Sequence, residues 1–157
     1  MTIIISSSAL QVRHTAFKKI YFEMIDDFEG ADKFDAATFD FHDVPLFSEA
    51  KIGTKKGSDD KIGPVDFSVS VTLSTVDRNE DDDYPQCPYD FDIEAQIWIS
   101  VSQEIPRGER LTLVETNGTS LAIGAIRELI MNLSSRSGFG PLTIPTLKVT
   151  TKLEQPS

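Results

Sequence analysis

The sequence is poor in cysteine, in histidine and in long apolar runs. Its 157 residues include one cysteine and two histidines, and 15 Lys and Arg stand against 25 Asp and Glu, which gives a net charge of −10. The lone Cys87 cannot form an intramolecular disulfide, and no apolar run approaches the ~20 residues that a membrane-spanning helix needs. An acidic chain also repels nucleic-acid phosphates. We therefore expect a cytoplasmic protein that binds no nucleic acid and does not insert into membranes.

No internal repeat and no long linker rich in Pro, Gly or Ser interrupts the sequence. Together with the chain length, this predicts a single domain over residues 1–157. Residues 1–8 and 150–157 are predicted to be disordered tails.

Two stretches of strict alternation indicate β-structure. Apolar and polar side chains alternate from Val65 to Ser74 and again from Asp90 to Ser102, which predicts two strands that each bury one face. The polar run between them suits a solvated hairpin loop, so the two strands should pair antiparallel.

Two further strands complete the predicted sheet. From Leu10 to Met24 the apolar residues share one parity, with interruptions at His14 and Lys18 that indicate bulges or an exposed edge. A shorter strand is predicted from Arg110 to Glu115. The result is an antiparallel sheet with one face toward solvent.

After Asn117-Gly118 the hydrophobic period changes from two to 3.6, which predicts a helix from about Ser120 to Arg136. Thr119 or Ser120 would cap this helix and Gly138 would end it. The helix is apolar nearly all round, which is typical of a buried helix. We expect it to pack against another subunit, with residues 25–63 as the alternative cover. The predicted interface residues are Ile123, Ala125, Ile126 and Ile130.

No group of residues points to catalysis, to a metal or to a nucleotide. Neither histidine lies in a nucleophile motif or a metal-ligand spacing, and adjacent side chains in Asp40-Phe41-His42-Asp43 point to opposite sides of an extended chain. Cys87 has no CxxC partner, and no Walker A or glycine fingerprint is present. We therefore expect a protein that is not an enzyme and that needs no cofactor and no metal.

Two features are not explained by the sheet and helix alone. Five of the ten phenylalanines lie in one stretch of twenty residues, within the connection that follows the first strand. They either complete the core or form an adaptable aromatic groove for apolar partners. On the polar face of the sheet, four acidic residues share their parity with Trp98. This acidic surface either aids solubility or docks a basic partner, with Trp98 as an anchor. The five phenylalanines are Phe28, Phe34, Phe39, Phe41 and Phe47, and the acidic residues are Asp66, Asp90, Asp92 and Glu94.

Two segments of the sequence carry a family resemblance. The first runs from Leu10-Gln11-Val12-Arg13-His14 to Tyr21-Phe22-Glu23, and the second joins Ile126-Arg127-Glu128-Leu129-Ile130 to Gly138-Phe139-Gly140-Pro141-Leu142 and Pro145. The first is similar to the opening strand of SecB, the bacterial export chaperone. The second is similar to the Ala-Arg-Glu helix, the Gly-Phe-x-Pro-Leu turn and the Leu-x-Pro segment of the same family. The chain therefore resembles the SecB-like family.

The resemblance implies an α+β fold in which a four-stranded antiparallel sheet, with a long crossover after its first strand, is backed by one long C-terminal helix. It implies an ATP-independent holdase that forms a dimer of dimers and binds unfolded or nascent polypeptide in an apolar groove beneath the crossover. The expected groove residues are Phe34, Phe39, Phe41, Leu46 and Phe47. A SecA-type motor is expected to dock at Glu23, Leu113 and Glu115, with Trp98 as an anchor.

The sequence departs from the family at several points. Lys19 stands where the family carries an acid, residues 55–61 look like an insertion, and the chain after Pro145 is too short for the family's second helix. The leading hypothesis is a holdase that serves protein export or a dedicated client such as an antitoxin. The alternative is a non-catalytic structural or assembly protein, of phage or prophage origin, that has kept the fold without client binding.

Overall fold

The computed structural model describes residues 6–25, 30–36, 38–39, 41, 44, 46–55, 62–75 and 87–147. These residues form a four-stranded antiparallel sheet with a helical segment on one face. The strands are β1 (Leu10–Met24), β2 (Phe47–Thr54), β3 (Asp66–Ser74) and β4 (Tyr89–Val101), in the order β1-β4-β3-β2 across the sheet. A long crossover with a short 3₁₀ helix at Ala31–Lys33 joins the two edge strands. The predicted α+β fold class is confirmed.

The two central strands form the core because each alternates apolar and polar side chains. On β4 every second side chain from Tyr89 to Val101 is apolar and buried, while the side chains between them, which include the exposed Trp98, lie on the other face. Val71 of β3 lies opposite Ala95 of β4, so the buried positions of both strands share one face. We call this the inner face and the opposite one the outer face. Both predicted strands are confirmed.

β1 has its predicted bounds, and the irregularities expected at His14 and Lys18 are β-bulges. The register with β4 shifts at Arg13, beside His14, and again at Lys18. A bulge turns the residues that follow it to the opposite face. The inner-face positions of β1 are therefore Leu10, Val12, Thr15, Phe17, Ile20, Phe22 and Met24.

The strand predicted at Arg110–Glu115 is wrong, because these residues are helical. They belong to α1 (Arg107–Leu113) and to the π-helical turn that follows it (Val114–Gly118). The fourth strand is β2, which lies within the predicted crossover and pairs with β3 at the edge of the sheet. β2 escapes the alternation pattern because its side chains, apart from half-buried Ile52, are exposed on both faces.

The helical segment is longer than the sequence predicts. α1, the π-helical turn and α2 (Thr119–Ser134) follow one another without a break, and Gly118 and Thr119 both have helical backbone angles. The predicted helix start, with Thr119 or Ser120 as a cap, is therefore wrong. α2 also ends before Gly138, the residue predicted to terminate it.

Gly118 allows the helical segment to lie close to the sheet. A Cβ atom at this position would lie 2.9 Å from both the Ile99 Cδ1 and the Val69 Cγ2 atoms. A larger residue would therefore push the helix away from the inner face.

α2 packs across β3 and β4 through the isoleucines that the sequence assigned to a subunit interface. Ile123, Ile126 and Ile130 are buried within the chain. They are therefore core residues, because the chain's own sheet covers them, and the predicted interface is corrected at these three positions. Ala125 is half-buried.

The chain after α2 covers one side of the helix. Leu142 and Ile144 are buried there. The backbone nitrogen of Leu142 donates to the Ser134 Oγ atom at 2.8 Å, and Arg127 Nε donates to the carbonyl oxygen of Ile144 at 2.8 Å. This segment accounts for part of the apolar helix surface that the sequence assigned to a second subunit or to residues 25–63.

Several predicted features lie outside the described residues. They are the tail at 150–157, the first five residues of the tail at 1–8, most of the polar loop before β4, and Phe28, Asp40, His42 and Asp43. Within the described ranges, no helix is long and apolar enough to cross a membrane.

Candidate functional site

An aromatic cluster lies where β1 ends and β4 begins. At its centre is Tyr89, a fully buried inner-face residue of β4. Its ring centroid is 5.4 Å from that of Phe22 on β1, 6.5 Å from that of Phe34 in the crossover and 6.2 Å from that of Phe139 after α2. The Phe34 and Phe139 centroids are 5.8 Å apart. The cluster therefore joins four separate parts of the chain, and such ring pairs stabilise beyond their buried area.

The hydroxyl group of Tyr89 ties the segment after α2 to the sheet. It donates a hydrogen bond to the carbonyl oxygen of Gly140 at 2.8 Å and is also hydrogen-bonded to the Ser137 hydroxyl. Burial raises the pKa of Tyr89 above its ordinary value, the Ser137 hydrogen bond opposes this shift, and Cys87 adds to it. Tyr89 therefore stays neutral and able to donate at neutral pH.

The predicted groove residues do not form one surface. Phe34 and Phe39 are half-buried with ring centroids 5.1 Å apart, and Phe41 is buried with its centroid 4.9 Å from that of Phe39. Leu46 is half-buried against the core. Phe47 is 60% exposed, and its partner on β3 places it on the outer face. Phe41 thus completes the core, while Phe34 and Phe39 lie at its edge.

Among the described residues, the inner face of β1 is only partly covered, since Phe17, Phe22 and Met24 are half-buried against the core. Because α2 packs on β3 and β4, Val12 is 43% exposed and Ile20 is 53% exposed. Their partners on β4, Ile99 and Ile93, are buried. We call the apolar inner-face residues in the body of this strand the β1 strip: Val12, Phe17, Ile20, Phe22 and Met24.

The β1 strip runs into the aromatic cluster. Phe22 belongs to both and stacks on Tyr89, beyond which lie the half-buried Phe34 and Phe139. The strip extends roughly 35 Å along the strand, which matches an extended polypeptide of about ten residues. Sequence patterning missed it, because alternation shows which residues share a face but not where a helix leaves that face open.

The residues predicted to dock a motor lie on different surfaces. Glu23 and Trp98 are both on the outer face, but Glu23 pairs with Asp90, which is roughly 26 Å from Trp98 along β4. Leu113 packs against the core from α1, and Glu115 lies in the π-helical turn. The separation follows from the wrong strand prediction at residues 110–115.

Negative charge on the outer face is concentrated at the end where β4 begins. The acidic residues there are Asp90, Asp92 and Glu94. Lys19 forms an ion pair with Asp92. Tyr21 donates a hydrogen bond to Glu23, which raises the pKa of Tyr21 above its ordinary value. The four predicted acids share the outer face with Trp98, as the alternation predicts, but of these four only Asp66 lies beside Trp98.

Among the described residues, no group of three or more His, Cys, Asp or Glu side chains could hold a metal ion. The His14 ring centroid lies 5.1 Å from that of Trp98, and Cys87 is buried.

Over the described residues, the fold and the site define an α+β protein with one antiparallel sheet and a partly exposed apolar strip on one edge strand. No family model and no curated protein sequence matches the chain. One similar solved structure is a SecB-like chaperone of Mycobacterium tuberculosis in complex with a ChAD peptide from an antitoxin, with a TM-score of 0.47 and 17% identity over 88% of this chain and 90% of that chain. Another is a protein of unknown function from Streptococcus agalactiae, with a TM-score of 0.48 and 8% identity over 89% of this chain and 97% of that chain.

Proposed function

We propose that this protein is an ATP-independent, SecB-like holdase that keeps polypeptide clients unfolded by covering their apolar segments. The observation that carries the proposal is the β1 strip, in which Val12 and Ile20 are exposed although they stand on the apolar face of the sheet. Contiguous apolar surface is uncommon on soluble proteins unless it binds a partner. The resemblance of the sequence to the SecB family supports the same function, which involves no covalent chemistry.

A single strip binds a client weakly. Covering a half-exposed side chain such as Ile20 contributes about 1 kcal/mol, whereas association costs roughly 4–15 kcal/mol in lost freedom of motion. Several strips that act on one flexible client would raise the overall affinity through multivalency. The proposal therefore includes a homo-oligomer, a dimer of dimers, in which every subunit presents a strip.

The helical segment offers a surface for this assembly. Leu121 and Met131 are exposed on α2, and the helical period places both on the side away from the buried Ile126. Ala125 is the predicted interface residue that is not fully buried. We therefore assign the proposed subunit contact to Leu121, Ala125 and Met131.

The proposed clients are unfolded or nascent polypeptides in the cytoplasm, either exported proteins or a dedicated client such as an antitoxin. The proposal does not extend to a SecA-type motor, because the four predicted docking residues lie on different surfaces. The ion pair of Lys19 on β1 with Asp92 on β4 also offsets part of the negative charge of the outer face.

Replacing Val12 and Ile20 together by Ser tests the strip. Both side chains are about half exposed, and the buried half of each contributes to folding, so we expect the free energy of unfolding to fall by about 1–2 kcal/mol. Suppression of the aggregation of a chemically unfolded, reduced client should fall at least about fivefold, because two apolar contacts per subunit are lost. Light scattering of the aggregating client, recorded against chaperone concentration, measures the effect.

A matched control replaces Leu111 and Ile62 by Ser. These residues are 46% and 40% exposed, close to the values for Val12 and Ile20, but they lie off the strip. The control variant should suppress aggregation as the wild type does. If the two double variants are equally active and both remain folded, client binding does not use the strip, and a structural or assembly role becomes the better account.

A further inference from the structure

A second concave surface lies on the outer face, on the side of the sheet opposite α2. It is a cleft of about 500 Å³, which we call the outer cleft. Trp98 lines it and is the one outer-face residue of β4 that is exposed. Its lining also includes Arg13, Lys55, Asp66, Ser68 and Ser100.

Small residues on the neighbouring strands give the outer cleft its shape. Ser68 is the partner of Trp98 on β3, and Gly53 continues the same row on β2. A Cβ atom on Gly53 would lie 2.9 Å from the Ser68 Oγ atom, so a larger residue there would require the Ser68 hydroxyl to move. His14 lies on the β1 side of the indole, with ring centroids 5.1 Å apart. The indole is therefore flanked by an imidazole on one side and by small side chains on the other.

The described residues that line the outer cleft carry a net positive charge. Arg13, at the first bulge of β1, donates from Nε to the Ser100 Oγ atom at 3.1 Å, and Ser100 donates in turn to Asp66 Oδ1 at 2.7 Å. Asp66 therefore accepts a hydrogen bond from the serine and keeps its negative charge. Within the described residues, the terminal amino groups of Arg13 make no hydrogen bond and Lys55 makes no ion pair. Two cations thus face one carboxylate, in a chain whose net charge is −10.

The contrast with the rest of the outer face selects the ligand. A basic segment would be drawn to the acids at the start of β4, at the far end of the same face. An anionic segment is repelled by those acids and attracted by Arg13 and Lys55. Because the cations stand near an exposed indole, the site favours a planar or apolar group with carboxylates beside it.

We propose that the outer cleft binds a short acidic peptide segment of a partner protein, with an aromatic side chain against Trp98 and flanking carboxylates on Arg13 and Lys55. This inference goes beyond client binding, because the outer cleft and the β1 strip lie on opposite faces of the sheet. A partner in the outer cleft and a client on the β1 strip can therefore be bound at the same time.

The single tryptophan of the chain makes the test direct, because Trp98 is the only source of tryptophan fluorescence. The probe is the capped peptide acetyl-Glu-Asp-Phe-Glu-Asp-amide, titrated into the full-length protein at low ionic strength. We expect a saturable change in fluorescence that weakens as salt is added. The neutral peptide acetyl-Gln-Asn-Phe-Gln-Asn-amide and inorganic phosphate should produce no saturable change over the same range.

Replacing both Arg13 and Lys55 by Gln should weaken binding of the acidic peptide about five- to tenfold. Each cation would form an exposed charge pair with a peptide carboxylate, and such pairs are of modest strength. Lys51→Gln is the control, because Lys51 lies on the outer face of β2, the strand that Lys55 follows, but is paired with Glu49 at 3.1 Å. A second variant, Ser68→Phe, fills the outer cleft without a change of charge. It should abolish binding of the acidic peptide.

The proposal is overturned if the acidic and neutral peptides bind equally, if phosphate binds as the peptide does, or if the double variant binds like Lys51→Gln. The test is independent of client binding. The variant with Val12 and Ile20 replaced by Ser should bind the acidic peptide as the wild type does, so a failed holdase assay and a failed peptide titration are distinguishable.

Discussion

Replacing Arg110 by Met is expected to lower the free energy of unfolding by about 3 kcal/mol. The side chain is buried, and its guanidinium group donates four hydrogen bonds, all to backbone carbonyl oxygens. The acceptors are Ile105 at 2.8 Å, Ile62 at 2.8 Å, Gln103 at 3.1 Å and Pro64 at 3.3 Å. Two of these residues precede β3 and two follow β4, so the substitution leaves carbonyl groups unpaired in both connections.

Urea unfolding followed by circular dichroism measures this loss. Arg110→Lys retains the charge but not the planar set of donors, and we expect it to recover less than half of the lost stability. Arg136→Met serves as the control, because Arg136 is exposed after α2 and its removal should change the stability by less than about 0.5 kcal/mol. Equal stabilities of Arg110→Met and Arg136→Met would contradict this role for Arg110.

Replacing Tyr89 by Ala is expected to lower the free energy of unfolding by about 4 kcal/mol. The substitution removes a fully buried ring that contacts Phe22, Phe34 and Phe139. The substitution would remove the ring contacts that join β1, the crossover and the segment after α2 to the start of β4, and it would leave a cavity. Thermal unfolding followed by calorimetry measures the loss.

Tyr89→Phe separates the contribution of the hydroxyl group from that of the ring. It removes the hydrogen bonds with Gly140 and Ser137 but keeps the ring contacts, so we expect a loss of about 1–2 kcal/mol. Because Tyr89 is a core residue, Tyr89→Phe should suppress client aggregation as the wild type does. A loss of stability as large as that of Tyr89→Ala would contradict the assignment of most of the stabilisation to the ring.

The sequence predicts those elements whose own alternation or period decides their structure. β3 and β4 alternate because one face is buried along their length, and the bulges of β1 are visible as breaks in its parity. β2 has no such pattern, since an edge strand exposed on both faces places little constraint on its side chains. The predicted strand at residues 110–115 is wrong because two alternating leucines are too short a pattern to distinguish a strand from a helix. The burial of Arg110 depends on hydrogen bonds to carbonyl groups that are distant in sequence, such as that of Ile62, and a local pattern does not show them.

The candidate site is only partly predictable for a related reason. The sequence singles out the phenylalanines of the crossover, but burial within the chain decides that Phe41 belongs to the core and Phe47 to the outer face. The apolar surface of α2 is likewise divided: one part packs on the sheet, another is covered by the segment after α2, and a third faces solvent. The exposure of Val12 and Ile20 depends on where the helix lies across the sheet, which no local pattern encodes.

The central claim is that this chain binds unfolded polypeptide without ATP. Size-exclusion chromatography with light scattering, run on the wild-type protein alone and after mixing with a chemically unfolded, reduced client, tests it most directly. The account predicts a tetramer that elutes together with the client and loses it when Val12 and Ile20 are replaced by Ser. A monomer or dimer that elutes apart from the client would contradict the account.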